Sequence, residues 1–215
     1  AQSANGSVNG YLENIEANAN VKDGVDVWMT GGGVGVLNTL TVSNVTANDN
    51  NAGVKLEVVA ANGSAQGSAS DVEADGNSGN GLAMRVVGLG VGGTALATVT
   101  DSSTDGNGSD GVNVQVQASA LASFRGEGID SHGNTVGVRV TANSGTAAYA
   151  LDMGGGVLGS SGQGSIHGNA NRDLRNAGGG TVMAENNYWG ANPPLNSQFG
   201  GSVDRNPWLT SEPTP

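Results

Sequence analysis

The sequence predicts an all-β fold: a right-handed, single-stranded parallel β-helix (solenoid) of about six to seven coils with an asparagine ladder and a C-terminal cap. Three observations predict it. A glycine–aliphatic dipeptide recurs with nearly constant spacing, amide side chains recur in step with it, and helical periodicity of useful length is absent. The dipeptides are Gly24-Val25, Gly53-Val54, Gly81-Leu82, Gly111-Val112 and Gly137-Val138, at steps of 29, 28, 30 and 26 residues. Each opens a run of period two, such as Val54-Lys55-Leu56 or Val138-Arg139-Val140, which is the pattern of a strand with one buried face.

The second column places an amide five residues after an aliphatic. It reads Ile15 and Asn20, Val45 and Asn50, Val72 and Asn77, Ile129 and Asn134, Val182 and Asn187, with Ser102 before Asn107 and Leu158 before Gln163 as variants. If each period is one turn, equivalent residues lie about 4.8 Å apart along the axis. Stacked amides can then hydrogen-bond up the axis as a ladder. Asparagine and glycine also tolerate the left-handed backbone of a sharp bend. The amide column is therefore expected at a bend, with the glycine column opening the strand that leaves it.

Other segments complete the coil. Short apolar pieces precede the bends at Leu40-Thr41-Val42, Ala97-Thr98-Val99, Leu121 to Phe124 and Leu151 to Met153. Gly-, Ser- and Ala-rich stretches at Ala60 to Ser64 and Gly88 to Thr94 read as a loop of variable length. Three strands and three bends per coil fit the period. The whole of 1–215 is expected as one domain. Residues 1–14 form an irregular start or an incomplete first coil, 15–187 the coils, and 188–215 the cap. In the cap Trp189 and Trp208 are large enough to cover the last coil, and Pro193, Pro194 and Pro207 cannot extend a ladder. The N-terminal end shows no comparable cap, which leaves continuation into a longer chain or head-to-tail self-association open.

Composition agrees and excludes several functions. Among 215 residues, 38 are glycine and only 4% aromatic, too little bulk for a wide core but enough for a narrow solenoid. The net charge of −11 with only 8 basic residues makes nucleic acid and anionic membrane surfaces poor partners. There is no cysteine, hence no disulfide, thiolate site or cysteine nucleophile. No run of about 18 apolar residues suggests membrane insertion. The start, Ala1-Gln2-Ser3-Ala4, would suit a chain whose signal has been removed.

The C-terminal segment from Thr181 to Gly190, with Asn186-Asn187-Tyr188-Trp189-Gly190, and the later Asn206-Pro207-Trp208-Leu209, resembles the final coil of secreted bacterial right-handed β-helix proteins of the pectate-lyase-like architecture. Ser165-Ile166-His167-Gly168-Asn169 is similar to their penultimate coil. The resemblance spans about Ile15 to Leu209. It implies an extracellular or cell-surface setting and says little about activity, because this architecture carries lyases, hydrolases, adhesins and structural modules.

Several constellations could carry chemistry. Asp71, Glu73, Asp75, Asp101 and Asp105, followed by Glu127 and Asp130, form an acidic face. A solvated surface, a calcium site built from Asp71, Glu73, Asp75, Asp101 and Asp105, and a carboxylate pair for glycoside hydrolysis drawn from Asp71, Asp101, Asp75 and Asp105 are all open. Asp26, Lys55 and Arg139 share one outward column, and Trp28, Glu57, Arg85 and Gln115 the next, where cross-rung ion pairs are expected. His132 and His167 fall in different coils without metal-ligand spacing, and are read as a turn and a strand-surface residue. Gly154-Gly155-Gly156 is not followed by a helix, so it is not read as a phosphate cradle. Glycosylation sequons stand at Asn5, Asn44, Asn62 and Asn107. The functional expectation is a non-enzymatic extracellular module: a stalk, adhesin segment or assembling subunit whose partners are a polysaccharide or another surface protein. The alternative is a polysaccharide lyase or glycoside hydrolase.

Overall fold

A computed structural model describes residues 2–3, 6–146 and 148–213. The strands in chain order are β1 (Gln2–Ser3), β2 (Asn9–Glu16), β3 (Val25–Gly31), β4 (Val36–Thr46), β5 (Val54–Ala60), β6 (Gly63–Glu73), β7 (Leu82–Gly88), β8 (Thr94–Ser103), β9 (Asp110–Ala118), β10 (Leu121–His132), β11 (Val136–Ser144), β12 (Ala148–Asp152), β13 (Ser165–His167), β14 (Arg172–Asn176), β15 (Val182–Met183), β16 (Phe199–Gly200) and β17 (Val203–Asp204). They stack into two sheets in the orders β1-β3-β5-β7-β9-β11-β14-β16 and β17-β15-β12-β10-β8-β6-β4-β2, with β13 also on β10. All pairings are parallel. The chain is a parallel β-solenoid of about seven turns, with one strand from each sheet per turn.

The coil has two principal faces where the sequence suggested three. The long strands β4, β6, β8 and β10 each contain one residue in the left-handed region: Asn44 at φ 50°, Asp71 at 52°, Asp101 at 48° and Gly128 at 58°. That residue turns the strand and drops out of the pairing, which resumes on its far side, so two expected strands form one bent strand. The left-handed file runs from Asn14 through these four to Gln163 and Asn186. Apart from Gly128 its members are Asn, Asp and Gln, short or amide side chains that include the two non-glycine types most tolerant of this conformation.

Register follows the glycine–aliphatic column. Val25 pairs with Val54, Val54 with Leu82, Leu82 with Val112, Val112 with Val138 through β11, and Val138 with Leu174. All of these are buried, with Val54, Leu82, Val112 and Val138 fully so. Across the narrow core, side-chain sizes compensate. The file Leu40, Gly67, Ala97, Phe124, Leu151, Val182 alternates bulk. A methyl on Gly67 would stand 3.0 Å from Val86 Cγ2 and 3.3 Å from Met84 Cε. Small residues on one sheet thus make room for large ones on the other, which is how a chain with few aromatics fills its interior.

Strand pairing reaches towards both ends. β2 pairs with β4 from Asn9 to Glu16, so residues 9–14 already belong to a strand. At the other end the stack continues past residue 187, because β16 pairs with β14 and β17 with β15. The prolines shorten these rungs to two residues without ending them. Trp189 is fully buried with its ring edge-on to Phe199, centroids 4.8 Å apart, and Arg205 covers Phe199 from 4.5 Å. Trp208 packs partly buried on the core and donates Nε1–H to Asn192 Oδ1 at 3.1 Å. Both tryptophans serve as the expected cover.

Candidate functional site

The amide column forms a ladder, built mainly through the backbone. Asn20 N–H donates to Asn50 Oδ1 (2.8 Å), Asn50 N–H to Asn77 (2.8 Å), Asn77 N–H to Asn107 (2.9 Å), Asn107 N–H to Asn134 (2.8 Å) and Asn134 N–H to Asn169 (2.9 Å). The side-chain NH₂ groups bond to the next amide at Asn20, Asn77 and Asn134, and to the carbonyl of Ala17 at Asn50. Two sequence assignments are corrected. The ladder ends on Asn169, not on Gln163 and Asn187. Gln163 lies in the left-handed file, and Asn187 turns inward to Gly164 N and Met153 O. The ladder amides are also not themselves left-handed: each directly follows such a residue, namely Ala19, Asp49, Gly76, Gly106, Gly133 and Gly168.

Two residues before each ladder amide stands a second file: Asn18, Asn48, Asp75, Asp105, His132 and His167. Its hydrogen bonds run the opposite way. Asn48 N–H donates to Asn18 Oδ1, Asp75 N–H to Asn48 Oδ1, Asp105 N–H to Asp75 Oδ1 (2.7 Å) and His132 N–H to Asp105 Oδ1 (2.7 Å). The left-handed residue between the files flips the peptide direction, so one bend bonds to the coil on either side. This explains the unit Asp75-Gly76-Asn77, repeated as Asp105-Gly106-Asn107, His132-Gly133-Asn134 and His167-Gly168-Asn169.

The acidic face is absorbed largely into this scaffold. Asp71 and Asp101 are exposed bend residues on neighbouring coils. Glu73 Oε1 accepts from Asn48 Nδ2 at 2.6 Å, and Asp75 accepts from Asp105 N–H and Ser103 Oγ. Burial raises the Asp75 carboxyl above its ordinary value, against the hydrogen bond from Asp105 N–H, while the nearby Asp105 charge reinforces the rise. Asp105 is held below its ordinary value by His132, against the effect of its burial. Among the described residues, the side-chain groups spaced to hold a metal ion are His132–His167–Glu212 and Asp105–Asp130–His132. Neither includes Asp71, Glu73, Asp75 or Asp101.

The histidines therefore stand where the sequence reading did not put them, stacked in one file with ring centroids 4.1 Å apart. The C-terminal tail brings Glu212 to them, with Oε1 3.9 Å from His132 Nε2 and 3.6 Å from His167 Nε2. Asp130 Oδ1 is 3.1 Å from His132 Nε2 but outside hydrogen-bond geometry, and it is buried without another partner. His132 Nδ1 faces Asp105 Oδ1 at 3.6 Å. The Asp105 carboxylate, then Asp130 and Glu212, favour the charged imidazole of His132 and raise it above its ordinary value, while burial opposes them. Burial also raises Asp130. Asp105, His132 and Ser165 fall in the order of a hydrolytic triad, with Ser165 Oγ 3.0 Å from His132 Nε2. Ser165 is buried, however, and donates its hydroxyl to Glu212 Oε1 at 2.6 Å, so it presents no free nucleophile.

Other sequence candidates have structural partners. Lys55 pairs with Asp26 at 3.3 Å and Arg85 with Glu57 at 2.5 Å, the expected cross-rung pairs. Arg139 instead grips buried Asp110 with two bonds of 2.6 and 2.8 Å. Trp28 is exposed beside Glu57 in the outward column. The N–H groups of Gly154, Gly156, Leu158 and Ser160 converge on the fully buried carboxylate of Asp152, which occupies the cradle an anion would need. Asn107 is a buried ladder residue, which closes that sequon in the folded chain, and Asn5 lies outside the described residues.

Compared with protein-family models, curated proteins and solved structures, the chain matches none significantly. The local geometry therefore stands alone as the guide to function.

Proposed function

We propose that the chain is a non-enzymatic solenoid module of an extracellular or cell-surface protein, serving as a rigid spacer or presenting surface. The observation that carries this reading is the brevity of the connections between sheets. Residues 61–62, 89–93 and 119–120 join successive coils of the regular region without building walls, and the longer segment 153–164 folds back onto the Asp152 carboxylate. A polysaccharide-cleaving solenoid needs a groove in which carboxylates or basic residues converge on a bound sugar. Here Asp71 and Asp101 stand exposed on bends, while Asp75 and Asp105 accept backbone hydrogen bonds. The net charge of −11 suits a module that stays solvated and self-repelling.

The test is a panel of neutral and acidic polysaccharides, assayed for new reducing ends and for unsaturated uronates with and without calcium. The expected result is no turnover. Turnover abolished by Asp71→Ala or Asp101→Ala in a folded protein would replace this reading with the hydrolase or lyase one.

A further inference from the structure

We propose that His132, His167 and Glu212 form a binding site for a divalent first-row transition ion, zinc being the natural occupant, which clamps the C-terminal tail onto the last coils. The donor set is two imidazoles and one carboxylate, with one ligand atom from each residue lying within 4.8 Å of the others. Tetrahedral zinc, with bonds of ~2.0–2.1 Å to nitrogen and oxygen, holds its ligand atoms roughly 3.3 Å apart. The separations of 3.6 and 3.9 Å from Glu212 Oε1 to the two Nε2 atoms need only a small inward shift. Glu212 is exposed and sits on the terminal tail, so it is the member free to make that shift.

Two independent features point to a ligand. His167 Nε2 is buried from water and has no hydrogen-bond partner, a costly condition for a ring nitrogen unless something binds it. His132 has its Nδ1 toward the Asp105 carboxylate while its Nε2 faces the site. Its Nε2 lies 3.0 Å from Ser165 Oγ, which donates its own hydroxyl to Glu212 Oε1, so ligation at Nε2 replaces that contact with a bond to the ion. Asp130 Oδ1, 3.1 Å from His132 Nε2, adds negative charge beside the site. Imidazole with carboxylate selects zinc, nickel or copper over calcium and magnesium, which prefer oxygen donors. The ion would join the end of β10 and the end of the three-residue β13 to residues 206–213.

The experiment uses the full chain. Titration with zinc chloride by calorimetry, with cobalt as a spectroscopic substitute, is read together with amide exchange of the tail. The expected result is one zinc per chain, an intense visible cobalt spectrum of low coordination number, and slowed exchange over residues 206–213. Both His167→Ala and Glu212→Gln are expected to weaken binding at least about tenfold and to abolish the tail protection. Glu212→Gln alters an exposed tail residue and leaves the coils folded, so it decides the matter if His167→Ala unfolds. The proposal is overturned if the wild-type chain binds no zinc, or if either folded variant binds it as tightly as wild type. Binding unaffected by these variants would place the ion on the acidic surface. The polysaccharide assay is blind to all of these outcomes, so the two readings fail separately.

Discussion

The coils from Val36 to Ser144 and the end of the rod beyond Asp152 use the same bend for different purposes. In the first region the residue two before each ladder amide is Asn48, Asp75, Asp105 or His132, and the side-chain oxygens of the first three accept the N–H of the following coil. In the second it is His167, whose ring accepts no such bond and turns toward the tail. The backbone needs an acceptor here only while a long strand must be bent through a left-handed residue. Once β13 and β14 shorten to three and five residues, the position is released for other chemistry. A polar file is thus structural through Asp105 and becomes a candidate site from His132, at the end of the last long bent strand, to His167.

Four substitutions can break or sharpen this contrast, each measured by urea unfolding of the variant against wild type. The largest effect is expected from Phe124→Ala, which empties the bulkiest fully buried position of the regular region. With Ala97 and Leu151 as its file neighbours nothing can refill the space, and a loss of about 4 kcal/mol is expected. Next is Asn77→Ala. It leaves the buried N–H of Asn50 without its acceptor and removes a donor to Asn107, which should cost about 2–3 kcal/mol. Gly106→Ala isolates backbone strain, since φ is +63° and a methyl there would meet nothing within 4 Å; about 1–2 kcal/mol is expected. The smallest effect belongs to His167→Ala in metal-free buffer, under about 1 kcal/mol, because its ring is half-buried and bonds to no backbone group. A His167→Ala loss equal to that of Asn77→Ala would erase the distinction between the two regions.

The regular region was legible because its period is short and nearly constant. The pairs Val25 to Val54 and Leu82 to Val112 could be counted directly, and so could the amides from Asn20 to Asn134. Legibility failed where an insertion altered the count. Between Asn134 and Asn169 the step is 35 residues, since residues 153–164 fold around the Asp152 carboxylate. Spacing alone therefore assigned Gln163 to the ladder and separated the two histidines. The signal that recovers them was local: the tripeptide His-Gly-Asn occurs at 132–134 and again at 167–169, in the place of Asp-Gly-Asn in earlier coils. The glycine in that tripeptide has a fixed backbone role, so its recurrence marks register more securely than residue counting. Glu212 could not be found this way, because nothing in the repeat says where the tail returns. The bent strands escape the spacing argument for a different reason: Asp71 and Asp101 read simply as outward acidic positions, and nothing in their spacing marks the left-handed turn each makes within a single strand.

The paired files at the bend bear on how such a shaft changes length. Each corner offers one acceptor toward its predecessor and one toward its successor, so every coil meets its neighbours with the same polarity of donors and acceptors. Duplicating a turn, or excising one between two such corners, rejoins matching partners and strands no peptide group. Growth and shortening can proceed in whole turns, whereas a cut within a turn would mismatch both.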